Sequence, residues 1–527
     1  MTNAEGTTRT HDTQRAQVSE NGLPAEPWPR PALWLTACTA IALGLVLFYE
    51  GIHLGYFHGL NQVDDGIYYG EGVMLAHGVL PYRSYVDVQP PGMVLLMAPF
   101  GLLGRWTSNR TGFEIARVFI VFVSMANIGL LGRLIRRRHW VGVLVGVVTL
   151  GFYLDSISAD HTVLLEPLLV FGSLFGFLFV FDDTESATTS ATRWLIAGAI
   201  LGLTTSIKLW GVFPLLVLLA FAAMRGRRCF THFLGGAAAA VLVLCGPFLL
   251  LAPNAFSREV FIVQVTRAHA GYASEEFRLM NLLDAPGHAL GKTLWLPIAL
   301  WFLVALIICA SIILQRRVDP SRATTNLDIT AMACLVIVTA SFLVASEFDS
   351  HYGGFLAPFL ALVLSETAVR LLTLVRSLMT IAMVVASVVI FVFAVHLVAN
   401  NAKEPPPTTA IDRIFPPTAC VVSMNYGPLI LANRYNLYKQ NCPHVLDIYG
   451  TELTDGNGVA VSPSDASAPK LQVDWLDWLH HADGLVLVSP SWTYVGIGPS
   501  AQTYLRSHFS LEGVSNGLYI YSRTESS

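Results

Sequence analysis

Long apolar blocks separated by short charged joints occupy most of the chain, the clearest being Thr36–Tyr49, Val141–Leu154, Val163–Phe181 and Leu378–Val398. Each comes close to the ~20 residues a helix needs to cross a bilayer. About eleven spans are predicted, near 32–50, 114–134, 140–157, 162–181, 194–207, 210–224, 231–252, 294–314, 327–346, 353–371 and 378–399. Basic residues collect at cytoplasmic helix ends. Placing Arg133/Arg136/Arg137/Arg138, Arg225/Arg227/Arg228, Arg316/Arg317/Arg322 and Arg370/Arg376 in the cytoplasm puts the N-terminus inside and everything after Asn400 outside. Spans five and six are short and meet at Lys208, which predicts a broken or tilted pair.

Two large segments then face outward. Gly51–Gly112 carries Asp64, Asp65, Glu71, Arg83 and Asp87, and its apolar stretch Met93–Trp106 is short for a span. Crossing there would carry Arg133–Arg138 to the outside, so the stretch reads as a helix along or dipping into the interface. Pro253–Thr293 is the second outer segment, with Glu259, Arg267, His269, Glu275, Glu276 and Arg278. After the Glu404-Pro405-Pro406-Pro407 run the pattern changes. Short β-type runs (Ala419–Met424, Gly484–Ser489, Gly517–Tyr521) alternate with helical patterns at Trp475–His480 and Ala501–His508, predicting a small α/β domain over 401–527.

Composition agrees with the pattern. Of 527 residues, 54% are hydrophobic and 13% charged, with a mean hydropathy of +0.55; a soluble chain carries about 25% charged residues. The net charge of -4 gives no indication of a nucleic-acid partner. Residues 1–31 are polar and rich in Thr, Glu and Pro, and read as a disordered cytoplasmic tail. The block that follows lacks a small-residue cleavage site and is expected to remain as the first helix. Cys38, Cys229, Cys245, Cys309 and Cys334 fall in or beside apolar blocks and read as packing residues. Cys420 and Cys442 lie in the polar C-terminal region, where an extracytoplasmic location makes them a disulfide candidate.

Ionisable groups are costly in a bilayer and tend to mark function there. The predicted topology collects Asp64, Asp65, Arg117, Asp160, His161, Glu166, Lys208, Glu347, Asp349 and His351 near the outer surface. Such a set suits an outward-facing membrane enzyme, and equally a transporter vestibule. Adjacent His480-His481 do not share a helix face and are set aside as a metal pair. Trp475 and Trp478, one turn apart, read as core aromatics rather than a sugar platform.

Several motifs carry a family resemblance. Asp64-Asp65-Gly-Ile-Tyr68, Leu80-Pro81-Tyr82-Arg83-Ser84-Tyr85 and Asp87-Val-Gln-Pro90-Pro91-Gly92 resemble the first outer loop of GT-C glycosyltransferases. The branch they are most similar to contains the protein O-mannosyltransferases and the lipid A aminoarabinose transferase. Arg117 in Phe113-Glu-Ile-Ala-Arg117, Gly198–Lys208 (GAILGLTTSIK) and His351-Tyr352 with Pro358-Phe359 extend the likeness, in order, over about residues 35–400. Asp65 stands where Glu is commoner, and Gln89 where Lys often precedes Pro-Pro.

The resemblance implies inverting transfer of a sugar from a polyprenyl-phosphate donor on the outer face. The sugar (mannose, arabinose, glucose or galactose) and the acceptor (an envelope polysaccharide, a glycolipid or a protein) stay open. It implies Asp64 as base and Asp65 as second carboxylate, orienting or holding a divalent cation such as Mg or Mn. Donor-phosphate contacts are expected from Arg117 and Lys208, then Arg83 and His351, and substrate contacts from Tyr68, Asp87, Asp160, His161 and Glu166. The rival readings are a secondary transporter or lipid flippase, for which internal repeats are wanting, and an inactive envelope-assembly scaffold.

Overall fold

The computed structural model describes residues 29–59, 62–181, 185–266, 273–284, 295–318, 324–372, 376–401, 408–423, 425–435, 437, 442–443, 447, 450–451, 454, 469–487, 497–515 and 517–524. Most of the N-terminal tail, the Pro405–Pro407 run, Arg267, His269 and Arg322 lie outside them.

Helices α1 (Arg30–Phe48), α4 (Asn109–Leu134), α5 (Trp140–Gly151), α7 (Glu166–Val180), α8 (Ala191–Thr205), α9 (Val212–Arg225) and α10 (Arg227–Leu251) form the first part of a bundle. Helices α14 (Trp295–Val318), α15 (Asn326–Val344), α16 (Gly353–Leu372) and α17 (Arg376–Asn401) complete it. Between them lie α2 (Val63–Ala76), α3 (Gly92–Trp106), α6 (Leu154–Asp160), α11 (Pro253–Ser257), α12 (Val263–Thr266) and α13 (Glu275–Asn281). Every span read from the sequence has a helix. Among the described residues, seven helices are long and apolar enough to cross a membrane, and an eighth counts if α5 and α6 form one bent span.

That bend corrects the expected continuous span at 140–157. The chain turns by 55° between α5 and α6. Asp284 accepts the Leu154 N–H at 2.6 Å, satisfying one opened backbone group, and Asn281 donates to the Asp155 carboxylate at 3.1 Å, which ties the bend to the same segment. The pair around Lys208 is broken as expected: α8 ends at Thr205, Lys208 is extended, and a short 3-10 turn at Leu209–Gly211 leads into α9.

The basic segments meet at one end of the bundle. Arg138, after α4, pairs with Glu185 at 2.6 Å and with Asp328 of α15 at 2.8 Å. Arg370 of α16 joins Asp328 at 3.2 Å and Glu366 at 3.3 Å. These buried, mutually neutralised charges bind two interhelical joints and two helices together.

Helix α3, fifteen residues with Pro99 inside, is too short to span and packs against α2 and α4. Its start is fixed by the Pro-Pro-Gly motif: Gly92 donates its N–H to Ser206 O at 2.7 Å, and a β-carbon at Gly92 would strike that carbonyl. The motif thus docks onto the turn that presents Lys208.

The C-terminal region carries a four-stranded sheet in the order β1-β2-β4-β3, from β1 (Val421–Ser423), β2 (Gly484–Leu487), β3 (Phe509–Ser515) and β4 (Leu518–Arg523). β1 and β2 are parallel and the other pairs antiparallel. The strand at Phe509–Ser515 was not anticipated, because Glu512 and Gly513 interrupt its alternation. Trp475 and Trp478 are buried with ring centroids 5.1 Å apart, as core aromatics. The short helix Gly427–Leu431 lies on α2, where a β-carbon at Gly66 would sit 2.5 Å from Gly427 N. Only glycine permits that approach.

Cys420 and Cys442 form a disulfide closing a stretch of 22 residues that includes this docking helix. Replacing both by serine is expected to cost the region about 3 kcal/mol, read as a lower unfolding temperature and faster proteolysis after 420. Of the other cysteines, Cys229 and Cys334 are buried, whereas Cys38 and Cys309 are exposed on α1 and α14. Those two face outward from the bundle rather than into its core.

Candidate active site

At the bundle end opposite the Arg138 cluster, α2, the Ser206–Lys208 turn, the start of α7 and the His351 turn converge. Lys208 is buried and its ammonium donates to Glu166 Oε1 at 2.9 Å. The same ammonium lies 3.5 Å from the Trp210 ring centroid and 4.4 Å from that of Tyr352. One N–H is taken, and up to two of the three remain for a ligand. Buried His351 packs its ring against Tyr352, 4.8 Å between centroids.

Asp64 starts α2 and is half-buried. Its carboxyl is pushed up to about 7, first by burial, then by Asp349 and Asp447, while Lys208 opposes the shift. Tyr68, one turn on, donates to Asp64 at 3.5 Å, the outer limit of a hydrogen bond. A carboxylate balanced near neutral pH and open on one side can take a proton from a hydroxyl.

Asp65 points elsewhere. It and Arg117 are both 0% exposed and pair at 2.6 Å. Arg117 Nη1 also donates to the carbonyls of Tyr56, Phe57 and Gly59, at 3.0, 3.0 and 2.9 Å. The structure places Arg117, expected as a donor-phosphate contact, and Asp65, expected beside Asp64 or at a metal, against each other, where the two clamp the loop before α2. Consecutive residues at a helix start point about 100° apart, so only one of the acidic pair can face the opening.

Asp160 and His161 are buried in the bundle, and Asp160 lines a cavity that it shares with Glu166 and Ser124. Ser124 donates to Asp160 at 2.6 Å, and His161 lies 3.3 Å from Glu50. Arg83 is exposed on the loop before α3, and none of the contacts described tie it to Lys208. Asp87 is buried with its N–H on Glu259 at 3.0 Å and its Oδ1 on Gln89 N–H at 2.8 Å.

The structure adds groups that sequence reading missed. Glu71 was visible as seven residues, two turns, from Asp64 on the same face of α2. Asp447, in the C-terminal region, reaches the charges of Asp64, Glu71 and Asp87, and no local pattern marks it. Lys208 is caged by Trp210, which the sequence did not single out, and by Tyr352 of the His351-Tyr352 motif.

Comparison with known proteins accords with this geometry. Residues 88–346 match the model of Glycosyltransferase family 87. A comparison with curated protein sequences found no match. Among solved structures, the chain resembles ArnT from Cupriavidus metallidurans bound to undecaprenyl phosphate, with a TM-score of 0.57 and 13% identity over 94% of this chain and 98% of that one. The same protein in the apo state gives 0.57 and 15% over 92% and 99%. The Archaeoglobus fulgidus oligosaccharyltransferase tethered with an acceptor peptide gives 0.50 and 12% over 93% and 74%. The chain is thus a polytopic helical membrane protein with the GT-C fold of the membrane glycosyltransferases.

Proposed function

We propose that this protein is an inverting glycosyltransferase that moves a sugar from a polyprenyl-phosphate donor to a cell-envelope acceptor on the extracytoplasmic face of the plasma membrane. The observation that carries the reading is Asp64, half-open and raised to about 7, beside the caged Lys208–Glu166 pair on a GT-C fold. The match to a glycosyltransferase family supports the transfer, and the ArnT relative, bound to undecaprenyl phosphate, supports the donor class.

In this reading the acceptor hydroxyl attacks the anomeric carbon from the face opposite the lipid phosphate. Asp64 takes the hydroxyl proton as the C–O bond to the acceptor forms. The bond from the anomeric carbon to the phosphate oxygen breaks, and the released lipid phosphate carries the negative charge. Lys208, in a low-dielectric cage, stabilises that charge with its remaining N–H donors. Glu166 holds the ammonium in place between turnovers, and Tyr68 steadies Asp64. The donor tail lies among the exposed apolar helix faces.

Charge supports this side of the membrane. The Arg138 and Arg370 clusters share one end of the bundle and the Asp64–Lys208 site the other, which supports a cytoplasmic basic end and an extracytoplasmic site. A disulfide in the C-terminal region suits the oxidising side.

Transfer of label from a panel of polyprenyl-phosphate hexoses and pentoses to envelope material, by membranes carrying the protein, tests the reading. Lys208→Met is expected to lower kcat/KM for the donor by about 10–100-fold, the worth of one charge-assisted hydrogen bond, with acceptor KM unchanged. No transfer from any donor in the panel would count against the enzyme reading.

A further inference from the structure

The Lys208–Glu166 pair uses one oxygen of Glu166 and leaves the other. Oε1 accepts from the Lys208 ammonium at 2.9 Å, whereas Oε2 is buried with no hydrogen-bond partner among the described residues. A buried ion pair holds its geometry well only when further hydrogen bonds satisfy the remaining lone pairs. What meets Oε2 therefore bears on how firmly Lys208 is held.

A cavity adjoins Glu166. Its polar wall consists of Ser124 and Asn127 of α4, Ser156 and Asp160 of α6, and Glu166 of α7. Gly354 of α16 also lines it, and a β-carbon there would lie 3.5 Å from Ser156 Oγ. The rest of the wall is apolar, and the space has room for about one water molecule.

Glu166, Asn127 and Ser156 are 1%, 4% and 6% exposed. Each brings a buried polar atom without a partner among the described residues: Glu166 Oε2, Asn127 Oδ1 and Ser156 Oγ. The Asn127 amide is oriented, because Nδ2 donates to Pro167 O at 2.9 Å and Oδ1 is the atom left over. Ser124 and Asp160 differ, since the hydroxyl donates to the carboxylate at 2.6 Å. A buried polar atom left unpaired is costly and uncommon. Three such atoms, from three helices, line this one small space.

Their bonding capacities match those of water. The two oxygens of Glu166 and Asn127 only accept, and the Ser156 hydroxyl can donate. A water molecule offers two donors to the first pair and a lone pair to the third, reaching the roughly three hydrogen bonds usual for a buried water. A cation suits the set less well, because the Lys208 ammonium already neutralises Glu166.

We infer that one resident water occupies this cavity, donating to Glu166 Oε2 and Asn127 Oδ1 and accepting from the Ser156 hydroxyl. Through it α4 and α6 brace the carboxylate that holds Lys208. Asn127 and Ser156 are then positioning residues for the reaction, acting through Glu166 and the ammonium without touching donor or acceptor. The water rests on the cavity and its wall, and the positioning role rests on the transfer reading proposed above.

The test takes the purified full-length chain in nanodiscs, imaged by electron cryomicroscopy at a resolution that shows ordered water, alongside label transfer from the donor panel. The expected map has one water within hydrogen-bond distance of the three atoms in the wild type and none there in Asn127→Leu. In that variant kcat/KM for the donor should fall by about 3–10-fold, the net worth of one hydrogen bond, with acceptor KM unchanged. Added to Lys208→Met, Asn127→Leu should cost nothing further, because it acts only through the ammonium. A loss that multiplies in full in that background would make Asn127 merely structural and overturn the positioning role. Ser156→Val removes the hydroxyl and fills the space from α6, and it carries the same expectations should Asn127→Leu fail to elute as a folded monodisperse species. A wild-type map that shows ordered water elsewhere in the bundle but none among these atoms overturns the proposal, as does density there that depends on sodium. A wild type that transfers no sugar overturns the enzyme reading and the positioning role with it, while the map alone decides the water.

Discussion

Asp64→Asn is expected to lower sugar transfer by about 10²–10⁴-fold, the usual contribution of a general base, while protein level and unfolding temperature stay near wild type. The substitution keeps the shape of the side chain and removes only its basicity. Asp64 is half-buried and makes one long contact, from Tyr68 at 3.5 Å, so little packing is at stake. Because the loss falls on the chemical step, kcat should drop and donor KM should hold. Transfer undiminished in Asp64→Asn would remove it as the base.

The pH profile follows from the same group with a definite sign. A base acts only when ionised, and the Asp64 carboxyl is raised to about 7 by burial and by neighbouring Asp349 and Asp447. The rate should therefore climb about tenfold per pH unit below 7 and level off above it. Asp349→Asn removes one of the charges that raises the group, so its profile should shift to lower pH. A profile flat between pH 5 and 8 would place the proton elsewhere.

The second large effect is structural. Arg117→Met is expected to destabilise the protein by about 3–5 kcal/mol, because it strands the fully buried Asp65 carboxylate. It also strips donors from the carbonyls of Tyr56, Phe57 and Gly59. Asp65→Asn should cost less, since an amide is less expensive to bury than a charge. The double variant should be more stable than the sum of the two losses predicts, as contacting partners require. Thermal unfolding in detergent reads both effects. If Arg117→Met kept its unfolding temperature and raised donor KM, Arg117 would be a phosphate contact after all.

These two results separate neighbours that the sequence presents as a pair. Asp64-Asp65 reads as one acidic motif, and the resemblance assigns both to the reaction. The helix that begins at Val63 turns them apart, one to the opening and one onto Arg117. Arg117 shows the same limit. Its place near the outer end of α4 was legible, but its commitment to three loop carbonyls depends on a chain reversal some sixty residues upstream.

What the sequence determined by itself is whatever depends on short stretches. Block length and the side on which arginines fall set the helices and the two ends of the bundle, because bilayer thickness and charge transfer act on each segment separately. The shortness of the two spans meeting at Lys208 marked the break there, and turn chemistry marked the start of α3 at Pro90-Pro91-Gly92. The cysteine pair was legible for a similar reason, since two were left over in a polar region. Only the tertiary structure decided which charges meet. The Lys208 cage takes Glu166, Trp210 and Tyr352 from three parts of the chain, and Asp447 joins the outer carboxylates from a region with no local mark. A buried charge is governed by the partners that packing brings to it, and distance along the sequence does not set distance in space.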